Sequence, residues 1–74
     1  LDKAPTAGAY FSRGQAYANV GKNDKAIADL TSAVKIDPNL AYAYYFRGSL
    51  HSQMGQFKAA IGDFDSAIGV LRTN

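Results

Sequence analysis

Tyr10-Phe11-Ser12-Arg13-Gly14-Gln15-Ala16-Tyr17 returns 34 residues later as Tyr44-Tyr45-Phe46-Arg47-Gly48-Ser49-Leu50-His51. The first aromatic, the Arg and the Gly keep their places. The same shift carries Gly21 onto Gly55, Ala26 onto Ala60, Ile27 onto Ile61, Asp29 onto Asp63, Ser32 onto Ser66 and Ala33 onto Ala67. Chance matches among apolar residues would not hold one register over that span. The 74-residue chain is therefore two copies of one unit. Self-similarity at this period marks a stacked repeat, in which each unit buries its apolar face against the next.

Within each unit the apolar spacing is helical. Ala26, Ile27, Leu30, Ala33 and Val34 fall on one stripe, and Ala60, Ile61, Phe64, Ala67 and Ile68 repeat it, so both stripes are expected to face a core. Four helices follow. The first is expected from about Ala7 to Val20, with Thr6 as N-cap and Gly21 as its stop. The second starts after Asn23, read as its cap, and ends by Asp37, because Pro38 disfavours helical geometry in the residue before it. The third, capped by Asn39, covers about Leu40 to Met54, and Gly55 closes it. The fourth runs from about Lys58 to Leu71, weakened at Gly62 and Gly69, each of which costs about 1 kcal/mol relative to Ala. Gly14 and Gly48, opposite Ala26 and Ala60, are expected to let two antiparallel backbones approach closely.

The order aromatic, Gly14, Tyr17, Ala26, Leu30, Pro38, repeated through Gly48, His51, Ala60 and Phe64, resembles the tetratricopeptide repeat from Ala7 to about Leu71. Arg13 and Arg47 stand where that family usually has Leu, His51 replaces the Tyr, and Arg72 replaces the second Pro, so the last helix need not stop where the second one does. The resemblance implies an all-α fold of stacked antiparallel helix hairpins, a tetratricopeptide-type α-solenoid fragment of four helices. Its repeats would be residues 7–40 and 41–74, and residues 1–6 would be the tail of a preceding repeat or a linker. The start at Leu1 and the lack of a polar cap after Leu71 lead to the expectation of a piece of a longer array. Two such units are expected to be only marginally stable.

Composition narrows the function. Apolar residues at 47% and aromatics at 12% belong to an ordered chain. Eight basic residues are scattered without a contiguous stripe, so no nucleic-acid partner is expected. No apolar run reaches the roughly 18 residues of a membrane span, and no membrane insertion is expected. Localisation stays open, with the cytoplasm as default. With no Cys and one His, no metal and no cofactor are expected. His51 reads as a helix residue packed between helices. Asp63 and Asp65, two apart on a helix, point to different faces and do not make a carboxylate dyad. The serines have no partner base. The chain is not expected to be an enzyme.

What remains is a surface. In the family that the chain resembles, the first helix of each pair lines a concave side where partner peptides bind. Residue by residue this implies Gly8, Phe11, Gln15, Ala18 and Asn19 from the first unit, and Tyr42, Tyr45, Ser49, Ser52 and Gln53 from the second. Phe11, Tyr42 and Tyr45 offer apolar area at low entropic cost, while Gln15, Asn19, Ser49 and Gln53 can hydrogen-bond an extended backbone. The expected partner is a protein or peptide. The Lys, Asn and Arg clamp that some members use on the terminal carboxylate of chaperone tails is replaced here by Phe11, Gln15, Tyr42 and Phe46, which disfavours that ligand class. Two alternatives stand beside this reading. In one the same aromatics serve as packing between repeats, and in the other the chain is a solenoid spacer or self-associates through exposed helix faces such as Ile61, Phe64, Ile68 and Leu71. The recurrence of Arg13 with Asp29 and of Arg47 with Asp63 is either surface coincidence or an ion pair between helices.

Overall fold

The computed structural model describes residues 5–73 and contains four helices: α1 (Ala7–Asn19), α2 (Asn23–Ile36), α3 (Ala41–Gln53) and α4 (Phe57–Thr73). The expected all-α architecture is what forms, with α1 packed on α2, α3 on α4, and the two hairpins joined mainly through α2 and α3. Of the expected preceding tail, residues 1–4 lie outside the described residues.

Local chemistry explains most of the boundaries. Thr6 is extended, and its Oγ1 accepts from the Ala9 amide at 3.1 Å, satisfying a donor that the first turn leaves free. Gly21 adopts φ 82° and Gly55 φ 78°, the left-handed geometry that only a residue without Cβ takes cheaply. The Lys22 amide then reaches back to the Tyr17 carbonyl at 2.9 Å, and the Gln56 amide to that of His51 at 2.8 Å. Both turns are thus the same six-to-one closure of a helix end. At the other end of α2, Asp37 is extended before Pro38, and its Oδ1 accepts from the Asn39 amide at 3.0 Å.

Three boundaries differ from expectation. Asn23 is the first residue of α2 and not its cap, since Lys22 occupies the cap position without a side-chain bond. Asn39 does not cap α3 either, because Leu40 holds that place, and the Asn39 backbone amide donates to Asp37 Oδ1 in the tight turn before it. The last helix starts at Phe57 and continues through Arg72 to Thr73. With Arg in place of Pro, its backbone amides stay available, and Thr73 Oγ1 bonds back to the Gly69 carbonyl at 3.1 Å.

The core lies at the joint between hairpins. Ala26, Leu30, Ala33 and Val34 of α2 meet Ala43 and Leu50 of α3, with Leu30 fully enclosed. Burying such a Leu stabilises by about 2 kcal/mol. Small side chains dominate because the backbones are close. A Cβ on Gly14 would lie 3.3 Å from the Ala26 carbonyl oxygen, as expected of a close crossing, and one on Gly48 would lie 2.9 Å from Phe64 Cε1 and 3.1 Å from Asp63 Cβ. The second apolar stripe corrects the sequence-based expectation. Ala60 and Ala67 are buried, but Ile61 is 59% and Ile68 52% exposed, whereas Val34 at the place matching Ile68 is 8% exposed. A second hairpin covers the first stripe, and among the described residues nothing covers the second.

Candidate functional site

Helical spacing puts Phe11, Gln15 and Asn19 on one stripe of α1, and Tyr45, Ser49 and Gln53 on the matching stripe of α3 with Tyr42 one turn before. Gln15, Asn19 and Gln53 are exposed, Ser49 is half-buried, and Tyr42 and Tyr45 are exposed by 76% and 59%. Gly8 is exposed, and Ala18 and Ser52 are half-buried. Phe11 differs from its α3 counterpart. Its ring stands edge-on to Phe46, centroids 6.2 Å apart, and joins the core between the hairpins.

Tyr42 and Tyr45 do not stand alone. With Ala41, Phe64, Ala67, Ile68 and Leu71 they line an almost wholly apolar groove of about 560 Å³ between α3 and α4. The Tyr45 and Phe64 rings lie 5.6 Å apart within it. Sequence reasoning put the Tyr pair on one face and Phe64, Ile68 and Leu71 on another. The crossing of α3 over α4 merges them into one surface, and the positional match of Tyr45 with Phe11 was the available signal.

The question left open about the Arg and Asp residues is settled by geometry. Arg13 donates from Nε and Nη2 to Asp29 Oδ2 and Oδ1 at 2.8 and 2.9 Å, a two-point ion pair between α1 and α2. Arg47 grips Asp63 in the same way at 2.9 and 2.6 Å. Both carboxylates are buried, at 5% residue exposure. The hydrogen bonds from Arg13, aided by its charge, hold the Asp29 carboxyl below its ordinary value of 3.8 against the opposing effect of desolvation. Arg47 uses its remaining nitrogen across the joint, donating from Nη1 to Thr31 Oγ1 at 3.0 Å. Its side chain is 18% exposed, against 60% for Arg13. The Arg13 guanidinium lies 5.8 Å from the ring centroids of both Tyr10 and Tyr17. In the second unit His51 replaces the second ring, its Nε2 3.8 Å from Asp63 Oδ2 and its Nδ1 hydrogen-bonded to Gln56 Oε1 at 2.6 Å. His51 is thus half-buried, with Nδ1 hydrogen-bonded.

Among the described residues no group of three or more His, Cys, Asp and Glu side chains is placed to hold a metal ion. No described helix is long and apolar enough to cross a membrane. Asp63 is buried while Asp65 is exposed, which separates the two carboxylates as their spacing requires.

A family model described as TPR repeat matches residues 14–55, and a second, described as tetratricopeptide repeat, matches residues 41–70. The fold is similar to that in a crystal structure of MamA, with a TM-score of 0.89 and 28% sequence identity over 90% of this chain and 39% of that one. The chain thus spans well under half the length of that similar structure. No curated protein sequence matches it.

Proposed function

Because the chain belongs to the tetratricopeptide repeat family, whose repeats are generally protein-interaction modules, we propose that it is a non-enzymatic docking module for a peptide or helix of a partner protein. Residues 7–40 and 41–74 are its two repeats, and the ligand lies along the concave face of α1 and α3. One observation carries this reading. Tyr42 and Tyr45, large aromatics 76% and 59% exposed, stand on α3 in line with the hydrogen-bonding side chains of Ser49 and Gln53, while Gln15 and Asn19 are exposed on the matching stripe of α1.

An aromatic side chain left in water forgoes roughly 2 kcal/mol that burial would provide. Placed on a rigid helix, it also loses little entropy when a partner covers it. The two rings therefore act as anchors, and the amide and hydroxyl groups fix the register of the bound segment. Phe11 contributes from beneath, since its contact with Phe46 sets the spacing of α1 and α3.

Selection of a displayed peptide library on the immobilised chain, followed by calorimetric titration of a recovered peptide, tests this. Tyr45→Ala and Gln53→Ala each raise Kd by about tenfold with unchanged helical circular dichroism, while Lys58→Ala does not. A recovered peptide indifferent to every substitution on α1 and α3 contradicts the proposed face.

A further inference from the structure

The groove between α3 and α4 has a filled counterpart inside the same chain. Shifting its lining back by one unit gives Ala7, Gly8, Phe11, Leu30, Ala33, Val34 and Asp37, of which Ala7, Phe11, Leu30, Ala33 and Val34 belong to the core on which α3 sits. The α3 residues that enter it include Ala43, Tyr44, Phe46, Arg47 and Leu50. Their own counterparts on α1 are Ala9, Tyr10, Ser12, Arg13 and Ala16, of which all but Tyr10 are exposed.

The open groove and the open α1 face differ from the internal pair in compensating ways. The groove is bulkier, with Phe64 for Leu30 and Ile68 for Val34, and Tyr42 adds a ring at its edge where Gly8 is exposed. The α1 face is slimmer, with Ser12 for Phe46 and Ala16 for Leu50. A larger groove thus faces a slimmer partner face, the sense that close packing demands. Charge agrees as well. Inside the chain Arg47 spends its spare nitrogen on Thr31 at 3.0 Å. The residue one unit beyond Thr31 is Asp65, an exposed carboxylate, and the residue one unit before Arg47 is Arg13, whose Nη1 points away from the Asp29 pair.

The geometry points to a second copy of this chain as the occupant of the α3/α4 groove, stacked head to tail, with α1 of one copy seated as α3 is seated within the chain and its Arg13 bridging to Asp65 of the other. A charge-assisted bond then replaces the neutral one at the internal joint. The contact is heterologous, so each copy keeps one free end and assembly continues into open chains. This goes beyond the docking reading but draws on Tyr42 and Tyr45 as well, and the two fail separately because Asp65 lies outside the α1 and α3 peptide face and Gln53 outside the groove.

Sedimentation of the 74-residue chain tests it. The weight-average mass rises continuously with concentration past the dimer, and Asp65→Lys weakens association by about tenfold with helicity unchanged. Ala16→Glu blocks the entering face and Ile68→Glu the groove. Each variant alone is monomeric, and an equimolar mixture forms a one-to-one dimer and nothing larger. A wild-type chain that stays monomeric at millimolar concentration overturns the proposal and leaves the groove to another polypeptide. A closed dimer whose blocked variants do not complement each other overturns it equally.

Discussion

The two hairpins share their chemistry and differ in their surroundings. Arg13 with Asp29 and Arg47 with Asp63 have nearly the same geometry, yet Arg47 is covered by the neighbouring hairpin and bonded to Thr31, while Arg13 lies open. Val34 is closed off and Ile68 is not. The same unit thus becomes a core on one side of the joint and a free surface on the other. In a stacked repeat, burial belongs to the interface between units and not to the unit.

The comparison breaks most sharply at the ion pairs. Arg47→Ala strands a buried carboxylate at a covered site and is expected to cost about 3 kcal/mol, whereas Arg13→Ala costs clearly less, because water reaches Asp29 once the exposed guanidinium is gone. Urea unfolding followed by circular dichroism measures both. Equal losses would mean that the neighbouring hairpin does not set the value of the pair.

Glycines sharpen the same contrast by sign. Gly48→Ala forces a Cβ into the Phe64 ring and is expected to destabilise by about 2 kcal/mol. At Gly62, by contrast, an added Cβ meets nothing within 4 Å, so Gly62→Ala gains up to about 1 kcal/mol of helix propensity. A destabilised Gly62→Ala would show that α4 is bent or covered there.

Acid gives the smallest effect. The folded Asp29 carboxyl titrates below its ordinary 3.8. Its contribution is therefore fully present above the unfolded value and is lost as pH falls through the lower folded one. Carboxyl carbon shifts followed by NMR should place the Asp29 midpoint below that of an unpaired aspartate, and Arg13→Ala should bring it back. A wild-type midpoint at the ordinary value would mean that the Arg13 bonds do not persist in solution.

Much of this fold was legible in the residues. The unit shift, Thr6, Gly21, Gly55 and the Asp37-Pro38 break located the helices, because each acts through its own backbone geometry. Asn23 and Asn39 misled because an Asn before a helix can cap it, enter it or join a turn, and neighbouring torsions decide among the three. Arg72, standing where a Pro would have stopped the helix, signalled that α4 can run on, but the expected end at about Leu71 fell short of Thr73. Periodicity alone left the openness of Ile61 and Ile68 undecided between a core stripe and an exposed face, because it reports an apolar stripe but not whether another element lies on it. Tyr42 and Tyr45 were picked out as residues, but their union with Phe64, Ile68 and Leu71 depends on how α3 crosses α4, and no spacing within one helix contains that angle.

The most direct measurement of whether one unit's surface is completed by the next is thermal unfolding after a further copy of residues 7–40 is joined behind residue 74. Covering Phe64, Ile68 and Leu71 should raise Tm by about 10 °C or more in a single cooperative transition. An unchanged Tm, or an added hairpin that melts on its own, would contradict the stacking relation.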